Sequence, residues 1–169
     1  MLIIHIKHST FEPMQNEKYF PILVSTDSLE FSFVSNGPNG EIKILVQFNI
    51  TENASIYNLG FGNLLVDGNI DDIVKNNNKD RNKVLATVTA TIYEFTSKYA
   101  DKFIFFKGST PERTRLYRMA ITNNLEVLQV DFEIYGVVIH QDGYAIEFFQ
   151  RSSNYFGFMI KRKITTFEK

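Results

Sequence analysis

The sequence predicts an α+β fold, a mainly antiparallel sheet with two helices packed on it. Two observations favour this class: strand-like alternation occupies both ends of the chain, and two helical segments flank one short apolar run in the middle. A chain of 169 residues, 44% apolar and 22% charged, is long enough to bury one core. We therefore expect a single globular domain over residues 1–169.

The amino-terminal segment is predicted to start the sheet. Residues 2–7 and 19–24 are short apolar stretches, interpreted as a strand and an edge strand. Apolar and polar residues alternate over 29–33 and again over 42–50, and Asn-Gly-Pro-Asn-Gly at 36–40 turns the chain between them. This pattern indicates a half-buried antiparallel hairpin.

Residues 56–62 are predicted to form a third strand. Gly60 and Gly62 leave one of its faces bare, which favours close packing by another backbone or ring. Residues 67–72 and 76–80 are interpreted as an ordinary polar loop, because their acidic cluster lacks the ligand spacing of a calcium loop.

The first helix is predicted to begin at a cap supplied by Asn78 or Asp80 and to end near Tyr99. Apolar side chains recur at helical spacing on one face, which is expected to be buried. These residues are Val84, Val88, Ile92, Phe95 and Tyr99.

A four-residue apolar run, Phe103 to Phe106, is predicted to be an interior strand covered on both faces. The sequence Ser-Thr-Pro-Glu after it offers two helix starts. Either Ser109 is the cap, with Glu112 completing a capping box, or Thr110 is the cap, with proline at the first helical position. This second helix is expected to end at a turn near residues 123–124.

The second helix contains three arginines, which a helical wheel places on two faces. Arg113 falls on the apolar face and is expected to be buried, whereas Arg115 and Arg118 fall on the polar face and are expected to be exposed. A guanidinium in the first turn lies near the positive end of the helix dipole, so Arg113 requires an anion beside it. That anion is either a phosphate or carboxylate ligand, held also by helix N–H groups, or the side chain of Asp71 or Asp72.

The last third of the chain is predicted to return to strands. Apolar and polar residues alternate from Val130, and this strand continues to residue 140. Asp-Gly at 142–143 is a hairpin signal, so residues 144–150 are expected to form the returning strand. Residues 155–163 are predicted to be the last strand.

The last strand combines rings with basic residues. The rings are Tyr155, Phe156 and Phe158, and the basic residues are Lys161, Arg162 and Lys163. Such a strand is typical either of a stacking surface for single-stranded nucleic acid or of a core strand whose charged end is solvated. The candidate anion-binding residues of the whole chain are Ser109, Thr110, Arg113, Arg115, Arg118, Lys161, Arg162 and Lys163.

Composition excludes several kinds of chemistry. The chain has no cysteine, which excludes disulfides, thiolate catalysis and cysteine zinc sites, and its net charge of −1 gives no global attraction to nucleic acid or to an anionic membrane. The three histidines, His5, His8 and His140, do not form a metal-binding pattern, and Ser109 is explained by a capping role. We therefore predict no catalytic residue, no metal and no cofactor, and we lean against an enzyme.

No apolar window is long enough for a membrane helix, and the amino terminus lacks the pattern of a signal peptide. We therefore predict a cytoplasmic protein without membrane contact.

Three strings in the chain resemble a known family. They are Tyr-Asn-Leu-Gly-Phe-Gly at 57–62, Asp80 with Lys-Val-Leu-Ala-Thr-Val at 83–88, and Gly-Ser-Thr-Pro at 108–111 with Arg-Thr-Arg-Leu-Tyr-Arg at 113–118. Over residues 29–140 the chain resembles an uncharacterised family of bacterial proteins from Bacteroidetes, a domain of unknown function. The resemblance implies a bacterial, cytoplasmic protein, and it supplies no activity, substrate or catalytic residue.

Two functions from different classes follow. The first is a binding module for a phosphate-bearing ligand or nucleic acid, which uses the arginine-rich helix and the basic end of the last strand. The second is a protein-interaction component without catalytic activity, such as the partner of a toxin or of a regulatory protein, in which the same arginines meet acidic side chains. The first function predicts that the two basic clusters approach each other and form one positive surface.

Overall fold

Two helices and ten strands are present in the residues that the computed structural model describes, 2–4, 17–72 and 77–164. The helices are α1 (Arg81–Lys98) and α2 (Pro111–Asp131). The strands are β1 (Leu2–Ile4), β2 (Ile22–Val24), β3 (Glu30–Gly37), β4 (Gly40–Ile50), β5 (Ile56–Leu64), β6 (Ile70–Asp71), β7 (Phe103–Phe106), β8 (Phe132–His140), β9 (Gly143–Phe148) and β10 (Gly157–Arg162). The predicted α+β class is confirmed.

The chain divides into two compact units. The first comprises Met1–Asn49 and Asn58–Phe95, and the second comprises Ile50–Tyr57 and Thr96–Lys169. The strand order is β1-β2-β3-β4-β5 in the first unit, with β6 paired to β5, and β7-β10-β8-β9 in the second. Strands β1 to β4 pair antiparallel, as do the four strands of the second unit. The single-domain expectation stays a prediction.

The hairpin predicted in the first unit is confirmed. Strands β3 and β4 pair from Gly37 opposite Gly40 to Glu30 opposite Gln47, so the connection has two residues. Phenylalanine side chains of this hairpin are buried, and Phe48 of β4 lies edge-on to a ring of β3. The hairpin therefore supplies one wall of the core of the first unit.

Helix α1 starts directly after Asp80, one of the two predicted caps. The Asp80 carbonyl accepts a hydrogen bond from the Val84 N–H (3.0 Å). As predicted, Val88, Ile92 and Phe95 are buried, whereas Val84 is half-buried.

The glycines of β5 differ in their surroundings. A Cβ at Gly62 would lie 2.5 Å from the Asp71 carbonyl oxygen, because β6 pairs with β5 at this point. At Gly60 no atom lies within 4 Å of such a Cβ. Close packing is thus confirmed at Gly62, and the expectation of close packing at Gly60 is wrong. Strand β6 lies inside the segment 67–72, which was predicted to be a loop.

Helix α2 is longer than predicted. It continues through residues 123–124, where a turn was expected, and ends at Asp131. The Asn124 amide donates to the Ala120 carbonyl oxygen (2.8 Å), so its polar group is satisfied inside the helix. Val130, predicted to start a strand, lies in the last turn of α2 and is exposed.

Strand β7 is confirmed as an interior strand, because it is hydrogen-bonded on both sides. It pairs with β10 on one side, and on the other the Phe103 N–H donates to the Ser55 carbonyl oxygen (2.9 Å). Only Ile104 is fully buried, and its three neighbours in β7 are half-buried. The expectation that both faces are fully covered is therefore wrong.

The predicted strands at the end of the chain are confirmed with shifted limits. Strands β8 and β9 are joined by residues 141–142, one position earlier than expected, and Gly143 opens β9 with φ of +129°. The predicted strand residues 5–7 lie outside the described part of the chain, as do His5 and His8.

Candidate aromatic binding face

The start of α2 is closed by its own residues. Thr110 is the N-cap, and its hydroxyl oxygen accepts a hydrogen bond from the Arg113 N–H (3.3 Å). Pro111 occupies the first helical turn and has no N–H to offer a ligand. Of the two predicted caps the structure selects Thr110, and Ser109 is exposed beside it. Cap and proline together reduce the number of N–H groups that this helix start presents to an anion.

Gly108 fixes the turn between β7 and α2. A Cβ there would lie 2.4 Å from the Thr114 backbone nitrogen and 2.5 Å from the Arg113 Cβ. The Gly108 N–H also donates to the Thr114 hydroxyl oxygen (3.0 Å). The helix thus starts against the strand end, at a distance that only glycine permits.

The three arginines of α2 have different surroundings. Arg115 is exposed, as predicted, whereas Arg113 is half-buried and not fully buried. Arg118 is half-buried, and its guanidinium donates to the Ser153 carbonyl oxygen (3.1 Å) and to the Asn154 side-chain oxygen (2.5 Å). The prediction that Arg118 is free in solvent is therefore wrong, because it holds the segment before β10. The expected ion pair of Arg113 stays a prediction.

The basic residues at the end of β10 contact aromatic rings. The Lys161 ammonium lies 4.9 Å from the centroid of the Phe103 ring. The Arg162 guanidinium lies 5.4 Å from the centroid of Phe132 and donates to the Thr96 hydroxyl oxygen (3.4 Å). Both cations therefore have neighbours inside the second unit.

Lys163 closes the carboxyl end of α2. Its N–H donates to the Asp131 carbonyl oxygen (2.8 Å), and its ammonium donates to the Gln129 carbonyl oxygen. The last turn of α2 has no basic residue of its own, so Lys163 supplies the positive charge that a helix carboxyl end favours. Arg115 lies 14 residues before Gln129, about 21 Å along a helix. The two basic clusters therefore lie at opposite ends of α2, and the expected single positive surface is not formed.

A row of large side chains crosses one face of the sheet in the second unit. The backbone register aligns Phe105 with Met159, Met159 with Tyr135, and Tyr135 with Phe148. Aligned residues of neighbouring strands point to the same face of a sheet. The register therefore brings together rings that are far apart in the sequence.

The first group of rings on this face is centred on Tyr135. Its ring stacks on Phe148, with the centroids 5.1 Å apart, and lies 6.4 Å from Phe103. Phe148 is 70% exposed, so the outer end of the group is open to solvent.

The second group is centred on Phe156. Its ring lies 5.4 Å from Tyr144 and 6.4 Å from Phe105, and Tyr144 is 69% exposed. We name the two groups together the aromatic face. Its members are Phe103, Phe105, Tyr135, Tyr144, Phe148 and Phe156.

The opposite face of the same sheet belongs to the core. Its buried members are Ile104, Phe132, Ile134, Phe158 and Ile160. Tyr155 and Phe158, two of the three rings considered for a stacking surface, are buried, so for them the core-strand alternative is the right one. Only Phe156 of the three belongs to the aromatic face.

Charged groups border the aromatic face. The Lys107 ammonium lies 4.3 Å from the centroid of Phe156, and Lys161 is over Phe103 as described above. Glu133 is aligned with Lys161 and accepts a hydrogen bond from the Tyr135 hydroxyl (2.8 Å). Burial, together with the adjacent Glu133 carboxylate, raises the pKa of Tyr135 above its ordinary value of 10.0, so the phenol stays protonated at neutral pH.

The first unit contains a polar cluster at the start of α1. The Asp80 carboxylate accepts hydrogen bonds from the Tyr19 hydroxyl (2.7 Å) and the Ser35 hydroxyl (2.6 Å). The Tyr19 oxygen accepts the Asn36 N–H (3.1 Å), and the Ser35 oxygen accepts an N–H of Asn78 (2.9 Å). Burial raises the pKa of Tyr19. Donors and acceptors that satisfy one another in this way are typical of a structural cluster, which here ties α1 to β3.

Metal ligands do not gather in groups of three or more within the residues that the structure describes. His140 is exposed at the end of β8. In the same part of the chain, neither helix has the length and apolar character needed to cross a membrane.

The sequence analysis identified Phe156 of the aromatic face and missed its other five members. Its local signal is a pair of aromatic residues an even number of positions apart in a strand, as at Phe103 and Phe105 or at Tyr144 and Phe148. Such alternation is equally typical of a buried face, and the register between strands is needed to tell the two apart.

No curated protein and no solved structure matches the chain. A family model described as a family of unknown function, DUF6934, matches residues 15–163. The match extends beyond the residues 29–140 of the resemblance and includes the whole of α2, β10 and the aromatic face. The chain therefore belongs to DUF6934, a family of unknown function.

Proposed function

We propose that this protein is a bacterial, cytoplasmic binding module for nucleic acid, and that single strands stack their bases on the aromatic face. The observation that supports this function best is the exposure of two rings, Tyr144 and Phe148, each of which continues into a group of half-buried rings. A protein whose net charge is −1 needs such a local surface, because it does not attract a polyanion as a whole.

Stacking is the main source of affinity in this proposal. Every base has a π-face, so an aromatic surface binds single strands with little sequence preference, and each stacked base contributes about 1–3 kcal/mol. Lys107 and Lys161 lie beside the two ring groups, where they would contact phosphates. Glu133 repels phosphate, and Lys161, which lies opposite it on β10, offsets this charge.

The proposal includes α2 packed on the buried face of the second unit's sheet. Tyr117 of α2 supports it, since its ring lies 6.1 Å from Phe106. With α2 on that side, the aromatic face stays available for a ligand.

The arginine-rich helix is the alternative location for a phosphate-bearing ligand. Arg115 is exposed, and within the described chain it makes no hydrogen bond or ion pair. Arg118 is already bonded to the segment before β10, and the Arg113 N–H is bonded to the Thr110 cap. Fewer groups are therefore available for a ligand here than on the aromatic face.

The experiment is fluorescence anisotropy with a labelled single-stranded DNA and the matching RNA, over a series of salt concentrations. Binding is expected to weaken as salt rises, because the lysines displace counterions from the phosphates. Phe148→Ala is expected to weaken it by about 5- to 150-fold, the equivalent of one lost stacking contact. Lys161→Glu should reduce affinity, whereas Lys43→Glu, an equal charge change at an exposed position of β4, should not.

Three results would count against this assignment. Wild-type protein that binds neither oligonucleotide at physiological salt would exclude the function. Binding that is unchanged in Phe148→Ala would exclude the aromatic face as its location. Binding that is lost only in an Arg115→Glu, Arg118→Glu double variant would transfer the site to the arginine-rich helix.

A protein-interaction component is the second candidate function. Ile139 and Ile146 are exposed on the same side of the sheet as the aromatic face, and base stacking has no need of aliphatic groups. Capture of one protein, such as a toxin or a regulatory protein, that is lost in Ile139→Asp while oligonucleotides do not bind would support this function.

A further inference from the structure

Strand β9 is an open edge of the sheet in the second unit. It ends the strand order and, in the described part of the chain, pairs only with β8. His140 faces Gly143 across the two-residue connection, and the Phe149 N–H donates to the Ile134 carbonyl oxygen (3.0 Å). Both observations place the odd-numbered residues of β9 in the pairs that are hydrogen-bonded to β8.

The even-numbered residues of β9 therefore direct their N–H and C=O groups away from the sheet. These residues are Tyr144, Ile146 and Phe148. Their side chains all lie on the side of the aromatic face, and the central one, Ile146, is 51% exposed. The outer edge thus offers three N–H and three C=O groups beside an apolar row.

This edge has few of the features that usually prevent strands from pairing between molecules. Its sequence, Gly-Tyr-Ala-Ile-Glu-Phe, has no proline and no lysine, its one charged residue is Glu147, and its register with β8 is continuous over six residues without a bulge. Exposed edges of soluble proteins are normally protected by one of these devices. An unprotected edge is a template for another strand.

We infer that two copies of this chain pair antiparallel through β9, about a twofold axis at Ile146. In this register Ile146 faces its own copy, and Tyr144 of each strand faces Phe148 of the other. All three outward-facing residues then form hydrogen-bonded pairs, which gives about six backbone hydrogen bonds. The apolar rows become continuous across the axis, with an aromatic pair at each end.

The alternative registers are less favourable. An axis shifted to Ala145 or Glu147 pairs only two of the three outward-facing residues, and the second shift also places two carboxylates directly opposite each other. With the axis at Ile146, Glu147 faces Ala145 instead. The strand is therefore complementary to itself, which favours a second copy over an unrelated extended peptide.

The first test is the oligomeric state in solution, measured by sedimentation equilibrium. Wild-type protein should form dimers. Ile146→Pro should give monomers of unchanged far-ultraviolet circular dichroism, because the Ile146 N–H faces away from β8 and proline removes only the outward hydrogen bonds. Glu147→Gln is the control, and it should remain dimeric because its partner in the pair is Ala145.

The second test measures the register directly and uses the absence of cysteine in the chain. In an Ile146→Cys variant the two introduced thiols face each other, with Cα atoms about 5.5 Å apart, so oxidation should link nearly all of the dimer. In a Tyr144→Cys control the two thiols are four residues apart along the strands, about 13 Å, and should not be linked.

Several results would overturn the inference. In sedimentation, these are wild-type protein that stays monomeric at high micromolar concentration, or an Ile146→Pro variant that still forms dimers. In crosslinking, it is a Tyr144→Cys variant that is linked as completely as the Ile146→Cys variant. Monomeric protein that captures an extended peptide along β9 would assign the edge to a different partner. If Ile146→Pro does not fold, the crosslinking pair decides alone.

Discussion

Phe95 of α1 is the most informative single residue of the first unit. Its side chain has no exposed surface, and its ring is stacked on Phe48 of β4 with the centroids 4.2 Å apart. Replacement of Phe95 by alanine removes the ring from the contact between helix and hairpin. The vacated volume is surrounded by packed side chains, which relax only in part.

The expected loss of unfolding free energy can be estimated from two contributions. Truncation of a buried phenylalanine to alanine costs about 3–5 kcal/mol, including the cavity that remains. The stacked pair adds about 0.5–1.5 kcal/mol beyond the buried area. We therefore expect Phe95→Ala to lose about 3.5–6.5 kcal/mol, a large fraction of the 5–15 kcal/mol that is typical of a domain.

Denaturant unfolding, followed by circular dichroism, measures this loss. Phe95→Leu retains part of the volume and should lose about 1–2 kcal/mol, which keeps the measurement possible if the alanine variant does not fold. Asn82→Ala, at an exposed position of α1, is the control and should change stability by less than about 0.5 kcal/mol. A loss below about 1 kcal/mol in Phe95→Ala would show that this face of α1 is not in the core.

Three further predictions follow from named contacts. Arg118→Ala should lose about 1–2 kcal/mol of stability, because the hydrogen bonds of the Arg118 guanidinium hold the segment before β10. Arg115→Ala should lose less than about 0.5 kcal/mol, since Arg115 is exposed, and equal effects of the two variants in thermal unfolding would contradict this prediction. Burial raises the pKa of Tyr19, so the contribution of the Tyr19 phenol to stability is complete below about pH 10 and is lost as pH rises through the raised pKa. Tyr19→Phe should therefore be less stable than the wild type at neutral pH, and its unfolding free energy should fall less on going to alkaline pH. Glu133→Gln should lower the pKa of Tyr135 toward its ordinary value, a change measurable by NMR titration, and an unchanged pKa would mean that burial alone sets it.

The burial of α1 shows how far a sequence pattern predicts a helix face. The apolar residues at helical spacing were expected to be buried, but Thr87 and Thr91 are as fully buried as Phe95. Each threonine hydroxyl donates to a carbonyl oxygen of α1 itself, at 2.7 Å in both cases. A polar group that the helix backbone satisfies can enter a core, and residue type alone does not reveal this.

The limits of α2 show a second kind of error. Asn123 and Asn124 were interpreted as a turn because asparagine often occurs in turns, yet buried residues on both sides of them, Ile121 and Leu125, keep the helix continuous. Packing of an apolar face outweighs the helix propensity of one or two residues, which differs by less than about 1 kcal/mol.

The candidate site was unpredictable for a different reason. Each of its strands has an ordinary alternating pattern, and Phe105, Tyr135 and Phe148 become one surface only through the register of four strands. The arginine-rich helix looked like the site because its charges are close together in sequence, but the fold uses them one by one. Arg118 holds a neighbouring segment, and Lys163 caps the far end of the helix. Charges that are adjacent in a sequence can thus enter separate structural contacts, whereas rings that are distant in a sequence can be gathered on one face by the register of the strands.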